Sequence, residues 1–173
     1  VEGSVSWLNY AFRLVQLPIG LFGVAISIAV LPVLAKYASK KDLGNVRSTF
    51  ASSLTIVFCL TIPATFGLII LAEPIIRVIF EHGSFTDTDT HATALALSLY
   101  AVGLFGYSAN KVIVPVFYAV NAPRYPVIGS FAAIAVNILI ISNTIDLYQH
   151  KAIALSTSVT MILNFIFLAA VLY

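Results

Sequence analysis

Two positively charged residues, Arg13 and Lys111, interrupt stretches that are otherwise apolar. A cation facing lipid costs about 2–3 kcal/mol near the centre of a membrane helix and less toward its ends. Such a side chain either extends to the headgroups or faces a water-filled cavity. The planar guanidinium of Arg13 suits phosphate or pyrophosphate oxygens, and Gln16 follows one turn later. The three residues are predicted to bind an anionic substrate, and headgroup snorkelling is the alternative for both cations.

Uncharged polar residues lie within two later apolar stretches. Their ordinary role is hydrogen bonding between helices, and the residues concerned are Asn137, Ser156, Thr157, Ser158, Thr160 and Asn164. Asn137 and Thr157 are also a candidate cation-binding pair, although a hard cation usually needs a carboxylate as well. No Asp or Glu lies within an apolar stretch, which argues against a proton relay built on carboxylates.

Other kinds of site find no support in the sequence. The three histidines lack metal-ligand spacing, and one cysteine excludes an internal disulfide or a cysteine metal cluster. No glycine-rich phosphate loop occurs, and no serine lies beside a histidine and an acid. The chain is therefore not predicted to be an enzyme or to hold a metal.

The composition requires lipid as part of the solvent. Of 173 residues, 60% are hydrophobic and 9% are charged, and the mean hydropathy is +1.01. A soluble core of this size cannot bury so much apolar surface. These values exclude a disordered chain, a nucleic-acid-binding domain and an ordinary soluble enzyme.

Five apolar stretches are long enough to cross a bilayer, which takes about 20 helical residues. They cover residues 8–35, 50–72, 92–120, 125–145 and 152–173. Because backbone groups in lipid must pair internally, each is predicted to be a helix. In the third, Asn110 and Pro115 are expected to open the helix locally. The fold class is an all-α polytopic transmembrane bundle of five spans in one unit, residues 1–173.

The connections carry the charges and predict the orientation. Two of them hold five basic residues and the other two hold two, so the positive-inside rule places residues 36–49 and 121–125 in the cytoplasm. Residues 73–91 and 146–151 are then external. A short interfacial helix is predicted at about 74–82, since Pro74 lies near its start and Gly83 follows its end. Trp7 and Tyr10 are expected to lie at the outer membrane interface.

Several blocks of the sequence resemble a known family. The blocks are residues 3–14, 18–25, 31–32, 71–76, 80–86, 111–112, 117–119 and 126–127. In this order they resemble the middle of the MurJ/MviN proteins, lipid II flippases of the multidrug/oligosaccharidyl-lipid/polysaccharide exporter superfamily. We expect the chain to be an internal piece of a longer membrane protein of this kind.

The resemblance implies a fourteen-helix transporter with two six-helix lobes around a cationic cavity. This chain would correspond to helices eight to twelve, most of the second lobe, and would need the missing N-terminal lobe. The family's cavity arginine corresponds to Arg13, and Phe12 stands where an aspartate is commoner. Asn137 and Thr157 correspond to sodium ligands of some members, but Ile141 replaces the acid expected one turn later.

The implied function is translocation of lipid II across the bacterial cytoplasmic (inner) membrane by alternating access. The implied partners are lipid II, membrane lipid and the missing lobe, with no nucleic acid. No cofactor is expected beyond Na+ or the membrane potential as a driving force. Two alternatives stay open. One is a related exporter, either a drug/cation antiporter or a polysaccharide-lipid flippase, and the other is a non-transporting membrane scaffold.

Overall fold

Helices form every regular element of the part of the chain that the structure describes. The computed structural model describes residues 3–148 and 150–172, and the side chains of residues 3–144 and 151–172. The elements are α1 (Ser4–Pro18), a π-helical segment (Ile19–Val24), α2 (Ala25–Ser39), α3 (Leu43–Ile70), α4 (Ala72–Phe80), α5 (Asp87–Val102), α6 (Leu104–Ala119), α7 (Arg124–Tyr148) and α8 (His150–Leu172). The all-α prediction is confirmed.

Several helices are long and apolar enough to cross a membrane. Four are continuous in the described residues, namely Ser4–Ser39, Leu43–Ile70, Arg124–Thr144 and Lys151–Leu172, and the bent pair of α5 and α6 is a fifth candidate if it is counted as one span. The predicted external connection 146–151 falls largely on residues whose side chains lie outside the described part. The backbones of α7 and α8 extend into it from both sides.

The third span is broken at a different place from the one predicted. α6 continues through Asn110 and Pro115, and the 44° bend lies at Gly103, between α5 and α6. There the Gly103 N–H donates to the Tyr100 carbonyl at 3.0 Å, one residue short of the α-helical pattern. The Leu99 carbonyl therefore loses its usual donor within the helix.

Ser158 of α8 stabilises this bend. Its hydroxyl donates to the Leu99 carbonyl at 2.8 Å and lies 3.3 Å from the Tyr100 carbonyl. A Cβ on Gly103 would lie only 2.7 Å from the Cα of Ser158, so α8 crosses the bend in backbone contact. Ser158 therefore forms the interhelical bonds predicted for it, and it supplies the donor that a carbonyl in lipid needs.

The π-helical segment breaks the regularity of the first span directly after Pro18. Pro18 lacks the N–H that would bond to the Leu14 carbonyl, and the π-helical segment begins at the next residue. Within the segment, a Cβ on Gly23 would lie 3.0 Å from the Cα of Ser108 in α6. The glycine thus lets the first span lie directly on α6.

The short helix predicted at 74–82 is α4, which begins two residues earlier and ends at Phe80. Arg77 connects it to the start of α5, with carboxylate oxygens of Glu73 at 3.1 Å, Glu81 at 3.2 Å and Asp87 at 2.8 Å. These side chains are substantially exposed, so each ion pair alone contributes little to the stability of the fold. Together the pairs mainly fix the position of α4 relative to the start of α5.

Trp7 and Tyr10 of α1, which were expected at the membrane interface, also contact other helices of the protein. The Trp7 indole N–H donates to Asp89 Oδ1 at 2.8 Å. The ring of Tyr10 lies 4.7 Å from the ring of Phe80 and 5.9 Å from that of Phe85, measured between centroids. The N-terminal end of α1 therefore packs against α4, α5 and the loop between them.

The close crossing at Gly103 predicts a steric effect of substitution. Gly103→Ala should destabilise the protein by about 2 kcal/mol, because its Cβ would force the backbone of α8 away. The free energy of unfolding in detergent micelles measures this. Gly67→Ala in α3 is the matched control, because nothing lies within 4 Å of its Cβ position, and a gain of up to about 1 kcal/mol is expected there. Equal responses from the two variants would contradict the packing described.

Candidate functional site

Arg13 lies on the exposed face of α1. Gln16, three residues later, is exposed on the same face, and so is Gly20 in the π-helical segment. Arg13 makes no hydrogen bond or ion pair with any residue in the described part of the chain, so its five donors remain available.

A groove of about 770 Å³ lies between the first span and α6. Its polar lining comes from Gln16, Ser27, Tyr107, Asn110 and Lys111, and apolar side chains provide the rest. The structure thus places Gln16 and the exposed Lys111 in the lining of one groove. Arg13 is not part of the lining and lies one turn beyond Gln16 along α1.

Tyr107 was not singled out from the sequence. Its ring packs edge-on against Phe12, with 6.1 Å between centroids, and Phe12 also lines the groove. The Tyr107 hydroxyl is buried and has no hydrogen-bond partner among the described residues. The sequence alone does not show that this hydroxyl lacks a partner, because a tyrosine within an apolar span can also serve only as a packing residue.

Asn110 fixes the side of α6 that carries Lys111. Its Nδ2 donates to the Gly106 carbonyl in its own helix and to the Met161 carbonyl of α8, both at 2.8 Å. Its Oδ1 accepts from Asn164 Nδ2 at 3.0 Å. Asn110 therefore does not open α6 as expected. It joins α6 to α8 and leaves Lys111 on the groove side.

Asn137 and Thr157 share a second, smaller groove of about 350 Å³ between α7 and α8. The Nδ2 of Asn137 lies 3.4 Å from the hydroxyls of Ser156 and Thr160, and the hydroxyl of Thr157 donates to the Ile153 carbonyl of its own helix at 2.6 Å.

The oxygens in this second groove do not make a strong cation site. Asn164 Oδ1 is buried there without a donor among the described residues. The lining contains uncharged oxygens and no carboxylate, and the described residues hold no group of three His, Cys, Asp or Glu side chains suited to a metal. Uncharged oxygens alone bind Na+ weakly, so the residues present do not fit the sodium site that the resemblance implies.

Comparison with known proteins identifies the family of this chain. The family model described as "Lipid II flippase MurJ" matches residues 1–173. The chain belongs to the MurJ family.

Relatives in this family align with nearly the whole chain. A protein named probable lipid II flippase MurJ from Buchnera aphidicola subsp. Acyrthosiphon pisum is 35% identical over 172 residues, which is 99% of this chain and 34% of the relative. A protein of the same name from Rickettsia prowazekii is 35% identical over 159 residues, 92% of this chain and 31% of the relative. The chain thus spans about a third of the length of these relatives.

A solved structure shares the fold. It is described as lipid II flippase MurJ in an inward closed conformation, and it superposes with a TM-score of 0.89 at 32% sequence identity. The match covers 99% of this chain and 36% of that one. MurJ proteins are transporters rather than enzymes, and family membership together with the apolar helices makes this chain part of a multi-pass inner-membrane protein.

The bond between Asn110 and Asn164 predicts a measurable coupling. Asn110→Ala and Asn164→Ala should each destabilise the bundle, and the double variant should lose less than the sum of the two. We expect a coupling of about 0.6 kcal/mol, the average for polar pairs between membrane helices. Unfolding free energies of the four proteins in one detergent give the value. Strictly additive losses would show that the two amides act independently.

Proposed function

We propose that this chain forms part of a lipid II flippase and supplies one cationic wall of the path that the substrate takes across the membrane. The observation that carries the proposal is the groove beside α6, which holds Gln16 and Lys111 with Arg13 one turn beyond. Within a MurJ family member, a lipid-linked pyrophosphate is the anion that such cations would receive. The first lobe, which lies outside this chain, would provide the opposite wall.

The chemistry of the step is binding and release. Arg13 would donate two parallel hydrogen bonds to pyrophosphate oxygens, and Lys111 would add a second positive charge. Both act more strongly in a cavity walled by apolar helices than in open water. The two lobes would then tilt relative to each other around the bound headgroup and turn it from the cytoplasmic side to the outer side.

The described residues favour the membrane potential over sodium as the driving force. A potential that is negative inside pushes an anionic headgroup outward, with about 2.3 kcal/mol per charge at 100 mV. The groove around Asn137 and Thr157 lacks a carboxylate. The proposal includes the membrane orientation predicted from the sequence. Residues 36–49 and 121–125 are then in the cytoplasm, and residues 73–91 and 146–151 are external.

Three other functions remain as outcomes of the tests. A drug/cation antiporter would bind its cargo with a cavity acid, and no acid lines the groove beside α6. A polysaccharide-lipid flippase would use the same cations on a different lipid-linked sugar. A scaffold that does not transport would need neither Arg13 nor Lys111.

The role of Arg13 predicts a graded loss of function. In the complete protein, Arg13→Ala should abolish growth rescue and cause lipid II to accumulate, because the pyrophosphate loses its forked donor. Arg13→Lys should retain part of the activity, because the charge stays while the paired geometry is lost. Arg124→Ala is the control, since Arg124 lies outside the groove and stacks on Tyr125. Normal rescue by both Arg13 variants at equal expression would remove Arg13 from the mechanism.

The driving force can be tested on the complete protein in proteoliposomes loaded with lipid II. Replacing Na+ with choline should leave the initial flipping rate unchanged, because the groove around Asn137 and Thr157 lacks the carboxylate that a sodium site needs. Collapsing the potential with valinomycin and equal K+ on both sides should lower that rate. The opposite pattern, loss without Na+ and persistence without a potential, would contradict the proposed driving force while leaving the substrate assignment intact.

A further inference from the structure

The connection between α2 and α3 is the most basic part of the chain. Four cations lie within or beside it, namely Lys36, Lys40, Lys41 and Arg47, and all four are exposed. Between residues 36 and 47 the only acid is Asp42. Three net positive charges therefore remain at this end of the helix pair.

Asp42 has a structural task that occupies its carboxylate. It is the N-cap of α3, and its side chain accepts from Asn45 Nδ2 at 2.6 Å and from the Asn45 backbone N–H at 3.1 Å. These bonds from the amide side chain and the backbone hold the pKa of the Asp42 carboxyl below its ordinary value. Asp42 thus stabilises the start of α3 and leaves the neighbouring lysines unpaired with it.

Lys41 occupies a backbone conformation that lysine does not favour. α2 ends in a Schellman motif, in which the N–H of Lys41 donates to the Ala38 carbonyl at 2.9 Å and the N–H of Asp42 donates to the Tyr37 carbonyl at 3.0 Å. The motif places Lys41 at φ 56°, where glycine is the usual residue. A side chain with a Cβ costs about 1 kcal/mol or more there.

The connection between α6 and α7 provides a comparison within the same chain. It contains the same motif, with bonds from the Asn121 N–H to the Tyr118 carbonyl and from the Ala122 N–H to the Phe117 carbonyl. The left-handed position at φ 55° is held by Asn121, a residue that tolerates it. At the equivalent turn of α2 the left-handed position is held by Lys41, whose backbone is strained there. A positive charge at this position is one reason for the chain to keep a lysine despite the strain.

An apolar side chain lies beside these cations. Leu43 follows the turn at the start of α3 and is 59% exposed. A leucine projecting next to lysines at the end of two membrane spans suits the bilayer interface, where the apolar group enters the acyl region and the ammonium groups stay among phosphates. The acidic surface of a soluble partner protein would leave Leu43 without an apolar environment.

We propose that the α2–α3 connection is a docking surface for the headgroup phosphates of anionic phospholipids, with Lys36, Lys40 and Lys41 as the binding cations and Leu43 as the apolar contact. The surface lies outside the groove beside α6, and the inference does not rest on the proposed transport. Each cation near an anionic membrane surface contributes about 1 kcal/mol, so removing one should weaken the interaction about fivefold.

The experiment separates charge from backbone strain. The complete protein in a neutral detergent is titrated with phosphatidylglycerol or with phosphatidylcholine, and bound lipid and thermal stability are both measured. Lys41→Gly should raise the melting temperature by relieving the strained φ, and should lower phosphatidylglycerol affinity about fivefold with no effect on phosphatidylcholine. Asn121→Gly is the matched control, with the same backbone change, no loss of charge and unchanged lipid binding.

Two results would overturn the proposal. The first is unchanged phosphatidylglycerol affinity in Lys41→Gly and in the double variant Lys36→Gln/Lys40→Gln. The second is binding of an acidic peptide, such as polyglutamate, that excess phosphatidylglycerol does not displace, because the surface would then belong to a protein partner. An affinity loss in Lys41→Gly together with a higher melting temperature supports the proposal, because a purely structural lysine would not show both.

Discussion

Close backbone contact between α6 and its neighbours is the constraint on which the rest of the structure depends. Helices in lipid gain little from hiding apolar side chains from one another, so their association relies on tight packing and on hydrogen bonds. α6 obtains both along its length. The π-helical segment reaches it at Gly23, and α8 reaches it at Gly106, where a Cβ would lie 3.0 Å from the side chain of Ile162. Asn110 then connects α6 to α8.

This packing determines where the candidate site lies. Because α6 is covered by α3 and α8 and by the first span, the face that carries Lys111 is left as the wall of the groove. The bend at Gly103 turns α5 away from the line of α6 and lets the N-terminal end of α5 meet Trp7 and Arg77. The candidate site is thus held in place by backbone crossings at Gly23, Gly103 and Gly106 rather than by its charged groups.

The sequence predicted the helices well and the irregularities poorly. Uninterrupted apolar length forces helical spans, because lipid offers no other partner for backbone groups. This argument does not locate a bend: Asn110 and Pro115 were the residues expected to open the third span, and the bend lies at Gly103 instead. The choice of Gly103 depends on Ser158, 55 positions later, which supplies the missing donor. No local pattern contains that information. The GxxG spacing of Gly103 and Gly106 accompanies a close crossing, and the same spacing occurs at Gly20 and Gly23.

For the site, residue type carried most of the information. Arg13, Gln16 and Lys111 were chosen as candidate site residues because charged and amide groups are rare in these spans. Their arrangement in space could be seen only in the folded structure. The contact of Trp7 with Asp89 has a practical consequence for this protein. Trp7 is the only tryptophan of the chain, so tryptophan fluorescence reports on one place in the chain, where α1 meets α5. Separation of the N-terminal ends of these helices would hydrate the indole and shift its emission to longer wavelength, giving an optical signal of opening that needs no attached label.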